Sequence, residues 1–403
     1  MDSPSPQRLH SLDAVRGGAL LLGIFFHAAF SFLPGDQIWI VADTQRSDAI
    51  SGTAFVLHIF RMSLFFILAG YFARMQANRL GTGGFVKDRL KRIGVPLVVF
   101  WPIMIACFTG IAIWSFTLLT AAGAPESAMP PPPPMTAETF PLTHLWFLYM
   151  LLVSYAGTLL ARALLKVTDL ADRLGRLADK ALSWRGIGIA LPIVLAIPVA
   201  WAFMNQPEWH AFFGIPAPEY GFVPNRIAVV AYGIAFLLGW VLQRSLDHLS
   251  QVTKLWPAYL VIAALLSVYC LTQIGTTFTY VQPLPEAAEI VYPVAYAIAV
   301  WTWCLGLIGL AMKIWSKESG VRRYIADSSY WLYLIHLPVV MALQVWVSQW
   351  ALAAEIKYLI VLGLSVPLML LSYELLVRYT FVGWILNGKK RKRANTAMQE
   401  APA

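Results

Sequence analysis

The sequence predicts an all-α polytopic integral membrane bundle of about ten transmembrane helices, with both termini cytoplasmic. Three observations predict it. Of the 403 residues, 59% are apolar and only 13% charged, too little charge to cover a soluble domain of this length. Ten apolar stretches are each about long enough for a ~30 Å hydrocarbon core, which takes roughly 20 residues of helix. The charges between those stretches alternate in kind along the chain. A mean hydropathy of +0.64 agrees with lipid as the solvent for much of the surface.

The first stretch, 14–33, follows MDSPSPQRLHSLD. That opening has no compact basic and apolar leader, and no small-residue cleavage site comes after the stretch, so a retained helix is expected. The others are 54–75, 93–121, 143–165, 187–204, 226–243, 256–273, 290–312, 329–351 and 357–381, the seventh and ninth interrupted by polar residues. Between the first and second lie Asp36, Asp43 and Asp48 with one cation, Arg46. Between the second and third come Arg74, Arg79, Lys87, Arg89, Lys91 and Arg92 against Asp88 alone. Segments 122–142, 205–225 and 274–289 hold no Lys or Arg. Segments 166–186, 244–255 and 313–327 carry Lys166, Arg173, Arg176, Lys180, Arg185, Arg244, Lys254, Lys313, Lys317, Arg322 and Arg323. Cytoplasmic loops concentrate Lys and Arg, so the alternation places both termini in the cytoplasm, and an odd number of spans would break it. The net charge of +9 thus reports topology and contact with anionic lipid headgroups, with no nucleic-acid partner expected.

One membrane domain, 1–388, is expected, followed by a basic, disordered cytoplasmic tail, 389–403. The run Pro130–Pro134 reads as a stiff polyproline spacer in the second external loop. Cys107, Cys270 and Cys304 sit in apolar runs without metal-ligand spacing and read as core or lipid-facing residues. No metal and no permanently bound cofactor is expected.

Ionisable groups within a span cost ~2.5–3.5 kcal/mol at mid-depth, which singles out a short list. Arg16 and His27 are eleven residues apart on the first span. Eleven helical steps return to within ~20° of the same face, ~16 Å along the axis. The alternative is that Arg16 snorkels to the headgroups and His27 is a packing histidine. His58 and Arg61, at i and i+3, fall in the outer half of the second span, where helix-packing glue is the rival reading. His144 opens the fourth span and Arg226 the sixth, and either alone suits an interfacial anchor. His336 lies mid-span in the ninth, ahead of Pro338. Glu374 and Arg378 share a face at i and i+4 and read as a structural ion pair, with Glu374 kept as a substrate-binding candidate.

Imidazole near neutrality takes a hydroxyl proton and returns it to a leaving group. Arginine holds a carboxylate or oxyanion through two hydrogen bonds. The chemistry suggested is acyl transfer to a hydroxyl, with a cationic group for an acidic acyl chain.

RGGALLLGIFFH, from Arg16 to His27, resembles the R-X10-H signature of the acyltransferase-3 membrane family. HIFRMSLFFILAGYFARM (58–75), KDRLKRIGVPL (87–97), HLWFLYMLL (144–152), SSYWLYLIHLP (328–338) and SYELLVRY (372–379) are similar to its branch that succinylates osmoregulated periplasmic glucans. The matches run in order from residue 8 to about 388. The resemblance implies a ten-span inner-membrane acyltransferase that takes an acyl group from cytoplasmic acyl-CoA to a glycan hydroxyl outside. It also implies that His27 is catalytic with Arg16 as its partner, and that Arg89 and Arg92 form the family's basic RxxR element, suited to CoA phosphates. Many members have serine where this chain has Ala69, so any hydroxyl role there is absent.

The expected mechanism has His27 as general base, with His58 and Arg61 on the oxyanion or the distal carboxylate of a succinyl group. His144, Arg226, His336 and Glu374 are further substrate-binding candidates. Acyl-CoA, a periplasmic glucan or other glycan, and lipid are the expected partners. A secondary transporter of an anionic small molecule is the alternative; it usually shows internal repeats, and none is seen here.

Overall fold

The computed structural model describes residues 6–121, 134–166, 170–207, 209–280 and 284–387. The polyproline run as far as Pro133 and the basic tail fall outside the described residues. Among the described residues thirteen α-helices follow one another with no strand; two isolated bridges, Gly35 with Phe278 and Pro141 with Tyr220, tie loop segments together. The helices are α1 Pro6–Ala29, α2 Asp48–Arg89, α3 Val95–Ala121, α4 Trp146–Lys166, α5 Leu170–Ser183, α6 Ile187–Met204, α7 Arg226–Leu242, α8 Leu246–Val252, α9 Trp256–Ile274, α10 Val291–Ile314, α11 Gly320–Ser348, α12 Ala354–Ser372 and α13 Phe381–Asn387. Each predicted apolar stretch falls on one of them. Among the described residues eight segments are long and apolar enough to cross a membrane; one of these, Asp48–Ala121, contains both α2 and α3, and α7 is a shorter apolar helix.

Two features differ from the sequence expectation. α2 continues through the predicted basic loop, bending at Gly81, whose φ of 68° suits glycine, and it joins α3 through a π-helical turn, Leu90–Gly94. α5 occupies what reads as a loop. It is too short to span, but Leu170, Leu174 and Leu177 recur at helical spacing and are exposed together, while Gly175 and Leu182 are buried. Asp179 fixes it by accepting from Arg244 Nε at 2.7 Å and Nη2 at 2.6 Å. An apolar stripe pointing outward beside Arg173, Arg176 and Lys180 is the pattern of a helix lying in the membrane interface.

Lipid supplies no hydrophobic drive between helices, so close backbone approach must hold the seams. α2 and α7 form the most extensive one. Gly70 faces the Phe236 carbonyl and Gly239 the Ile67 carbonyl so closely that a methyl group at either would overlap the oxygen. α10 runs through the centre against α9, α6, α2 and α1, with Tyr292, Tyr296, Trp301 and Cys304 fully buried. The lipid face is legible on α6, where Ile189, Ile193, Ile197 and Trp201 are exposed and Val199 and Phe203 are buried. All three cysteines are free.

The segment after α1 folds back onto the bundle. Arg46 donates to the Ser31 and Leu33 carbonyls at 3.0 and 3.1 Å. Lys357 Nζ lies 2.9 Å from both Asp43 oxygens, and the two side chains are 0% and 1% exposed.

Candidate active site

α1, α2, α4 and α11 enclose a cavity of about 670 Å³. On α1 its wall runs from Arg16 through Leu20, Gly23 and Phe26 to His27 and Phe30. Fourteen residues of helix at 1.5 Å each make that wall ~21 Å long, about two-thirds of a hydrocarbon core. Arg16, Arg89, Arg92 and Asn387 line one end, and Gln206, Trp209, His210 and Glu219 the other. His27, His58, Arg61, His144 and His336 lie between. The shared face predicted for Arg16 and His27 is therefore a cavity face.

The aromatic residues set the geometry around His27. Its ring lies nearly parallel to Trp39, centroids 5.8 Å apart at 18°, and 5.2 Å from His336. Phe26 is the platform next to it: His58 stacks on it at 5.1 Å and 19°, and the Arg61 guanidinium lies 3.9 Å from its centroid. Arg61 is 5% exposed, and its Nη1 has no hydrogen-bond partner among the described residues. A buried cation with a free donor facing a cavity is built for an anion the cavity admits.

Backbone carbonyls fix the histidine tautomers, because a carbonyl only accepts. His58 Nε2–H donates to Ile215 at 3.1 Å, and His144 Nε2–H donates to Leu334 at 3.1 Å, leaving each Nδ1 as the lone-pair nitrogen. His336 Nδ1–H donates to Tyr333 at 2.7 Å, leaving Nε2 as its acceptor. His336 and His144 are 5.5 Å apart. The buried His27 Nδ1 has no hydrogen-bond partner among the described residues.

At the opposite end, Arg16 Nη2 donates to the Ala326 carbonyl at 3.2 Å and pairs with Asp13 at 3.3 Å. Asp88 bridges the basic pair: it bonds Arg89 directly and accepts from Arg92 Nε at 2.9 Å. Tyr330 donates to the Arg92 carbonyl at 2.5 Å. The methyl of Ala69 also lines the cavity.

Two predicted binding residues do not join the site. Arg226 is exposed, donates to the Asn205 carbonyl and lies 5.4 Å from the Trp201 ring, outside the cavity wall. It opens α7 on the face away from the cavity. Glu374 accepts from Arg378 at 2.8 Å, Tyr379 at 3.0 Å and Tyr324 at 3.3 Å, so its oxygens are used within the α11–α12 seam. The expected Glu374–Arg378 ion pair is present, and Glu374 does not line the cavity.

Trp39, Glu219 and Gln344 are absent from the sequence-derived list. Glu219 is exposed to the cavity it lines, yet the surrounding protein strips enough water to push its carboxyl up to about 7, while Arg61 pulls the other way.

The sequence model described as "Acyltransferase domain" matches residues 9–374. Glucans biosynthesis protein C of Shigella dysenteriae serotype 1 (strain Sd197) is 22% identical, covering 100% of both chains. Glucans biosynthesis protein C of Escherichia coli (strain K12) is also 22% identical over 100% of both chains. No solved structure matches this chain.

Proposed function

The chain belongs to the Acyltransferase domain family and is a membrane transferase of groups other than aminoacyl groups, and from that premise we propose that it moves an acyl group from cytoplasmic acyl-CoA to hydroxyls of an extracytoplasmic glycan. Succinyl is the favoured acyl group, a periplasmic glucan the favoured acceptor, and the bacterial inner membrane the location. One observation carries this reading: a single cavity has the Arg89–Arg92 pair at one end and His27 beside a free Arg61 donor toward the other. The relatives named for glucan biosynthesis, matched end to end, support the glycan acceptor.

Acyl-CoA enters at the Arg16 end. Asp88 holds Arg89 and Arg92 in register, and their remaining N–H donors meet the CoA phosphates. The thioester reaches His27 along α1. The acceptor hydroxyl enters between Gln206, Trp209 and Glu219. His27 removes the hydroxyl proton as the oxygen attacks the thioester carbonyl, giving a tetrahedral oxyanion. The C–S bond then breaks, the ester forms, and the CoA thiolate takes the proton back from the imidazolium. Arg61 is available for charge in this half of the cavity, either the oxyanion or the distal carboxylate of a dicarboxylic acyl chain, while His58, its N–H used on the Ile215 carbonyl, helps to shape the wall.

His27→Ala tests the assignment. The variant is expected to insert normally and to lose acylation of the glycan with release of CoA; retained transfer removes His27 as the base.

A further inference from the structure

We infer that Gln344 is a positioning residue for His27, acting through Trp39 and the end of α1. This rests on His27 as the base. General bases are usually oriented by a hydrogen bond to the ring. Here no side chain among the described residues bonds the imidazole, so packing and backbone must hold it.

Gln344 reaches both supports. On α11 and 1% exposed, it donates from Nε2 to the carbonyls of His27 at 3.1 Å and Ala28 at 3.0 Å. The chain leaves α1 there for the 3₁₀ turn Phe30–Phe32, and terminal helix carbonyls lack intrahelical donors. The Gln344 Oε1 accepts the indole N–H of Trp39 at 2.9 Å. An exchanged amide would set its NH₂ against an indole donor and its oxygen against two carbonyls, so the three bonds permit one orientation only.

Trp39 is thereby pinned flat against His27 and edge-on to Phe30 at 4.8 Å. Its loop is fixed independently by the Lys357–Asp43 pair and by Arg46 on the Ser31 and Leu33 carbonyls. One buried amide therefore fixes where the His27 backbone sits and which plane its ring adopts.

The test uses full-length protein in detergent or nanodiscs, measuring CoA release and glycan acylation per folded molecule with acyl-CoA and periplasmic glucan. Gln344→Leu keeps the volume and removes all three bonds; Trp39→Phe keeps an aromatic face and removes one. Expected is a fall in kcat on the order of 10²-fold for Gln344→Leu, with KM values little changed, as a misplaced base produces. Trp39→Phe should fall less, and the double variant should lose less than the product of the two, since they share one bond. The pH–rate profile of folded Gln344→Leu should also shift, which a loss of folded protein alone would not do. A wild-type kcat and pH profile in folded Trp39→Phe and Gln344→Leu overturns the inference. If Gln344→Leu does not fold, unchanged kcat in Trp39→Phe overturns it. Loss of transfer in His27→Ala alongside normal kcat in these variants defeats this inference alone; transfer retained in His27→Ala defeats the catalytic reading beneath it.

Discussion

In the proposed reaction, Arg61 is the residue on which donor choice turns. It is buried, cationic and, among the described residues, unpaired at Nη1, so its role is read by comparing donors. If it holds a distal carboxylate, Arg61→Gln should lower kcat/KM for succinyl-CoA roughly 10–150-fold, the equivalent of about 1.5–3 kcal/mol, and leave acetyl-CoA nearly untouched. Equal losses with both donors would place it on the oxyanion instead. Glu219 gives a pH signature. With its carboxyl raised to about 7, the folded state binds a proton more readily than the unfolded chain, so its contribution to stability is present at low pH and lost as pH rises through 7. Glu219→Gln should therefore melt with wild type near pH 4.5 and above it at pH 8; equal melting at both pH values contradicts the shift. At this scale the sequence reveals those residues whose presence in a membrane is costly: Arg16, His27, His58, Arg61, His144 and His336 all line the cavity. It does not reveal Trp39 or Gln344, because an uncharged polar or aromatic residue raises no such alarm. Position near a span end does not say which way a side chain faces, and Arg226 and Glu374 lie off the cavity wall.

Among the elements, the segment joining α1 to α2 depends most on a single contact. Lys357 and Asp43 are fully buried against one another, so removing one partner leaves an uncompensated charge. Lys357→Met should destabilise by about 3–5 kcal/mol, and adding Asp43→Asn should recover part of it. Thermal unfolding in detergent reads both; a Lys357→Met protein as stable as wild type would show the pair to be dispensable. The pair is illegible in sequence because Asp43 reads as one more external acid and Lys357 as the edge of the tenth span. The helices themselves are legible from apolar length and loop charge. α5 is not, since fourteen residues of mixed polarity look like a loop until their leucines are placed on one face. The long α2 escapes notice for a related reason: its last two turns are polar and hold their shape by packing against the π turn and α4.

For the whole molecule, the cavity is what turns separate spans into a machine. Apolar length and alternating charge predict a bundle, but no periodicity says that the polar faces of α1, α2, α4 and α11 converge on one volume; only the coincidence of depth among His27, His58 and Arg61 hints at it. The convergence alone does not separate enzyme from transporter, because a cationic, imidazole-rich passage suits either a reacting thioester or a transiting anion. The decisive measurement is made on vesicles containing purified protein in one orientation, with labelled succinyl-CoA on the Arg89–Arg92 side and periplasmic glucan on the other. The account predicts labelled, esterified glucan in step with free CoA on the donor side, and neither with His27→Ala. Label accumulating across the membrane without esterified glucan, or transfer undiminished in His27→Ala, would contradict it.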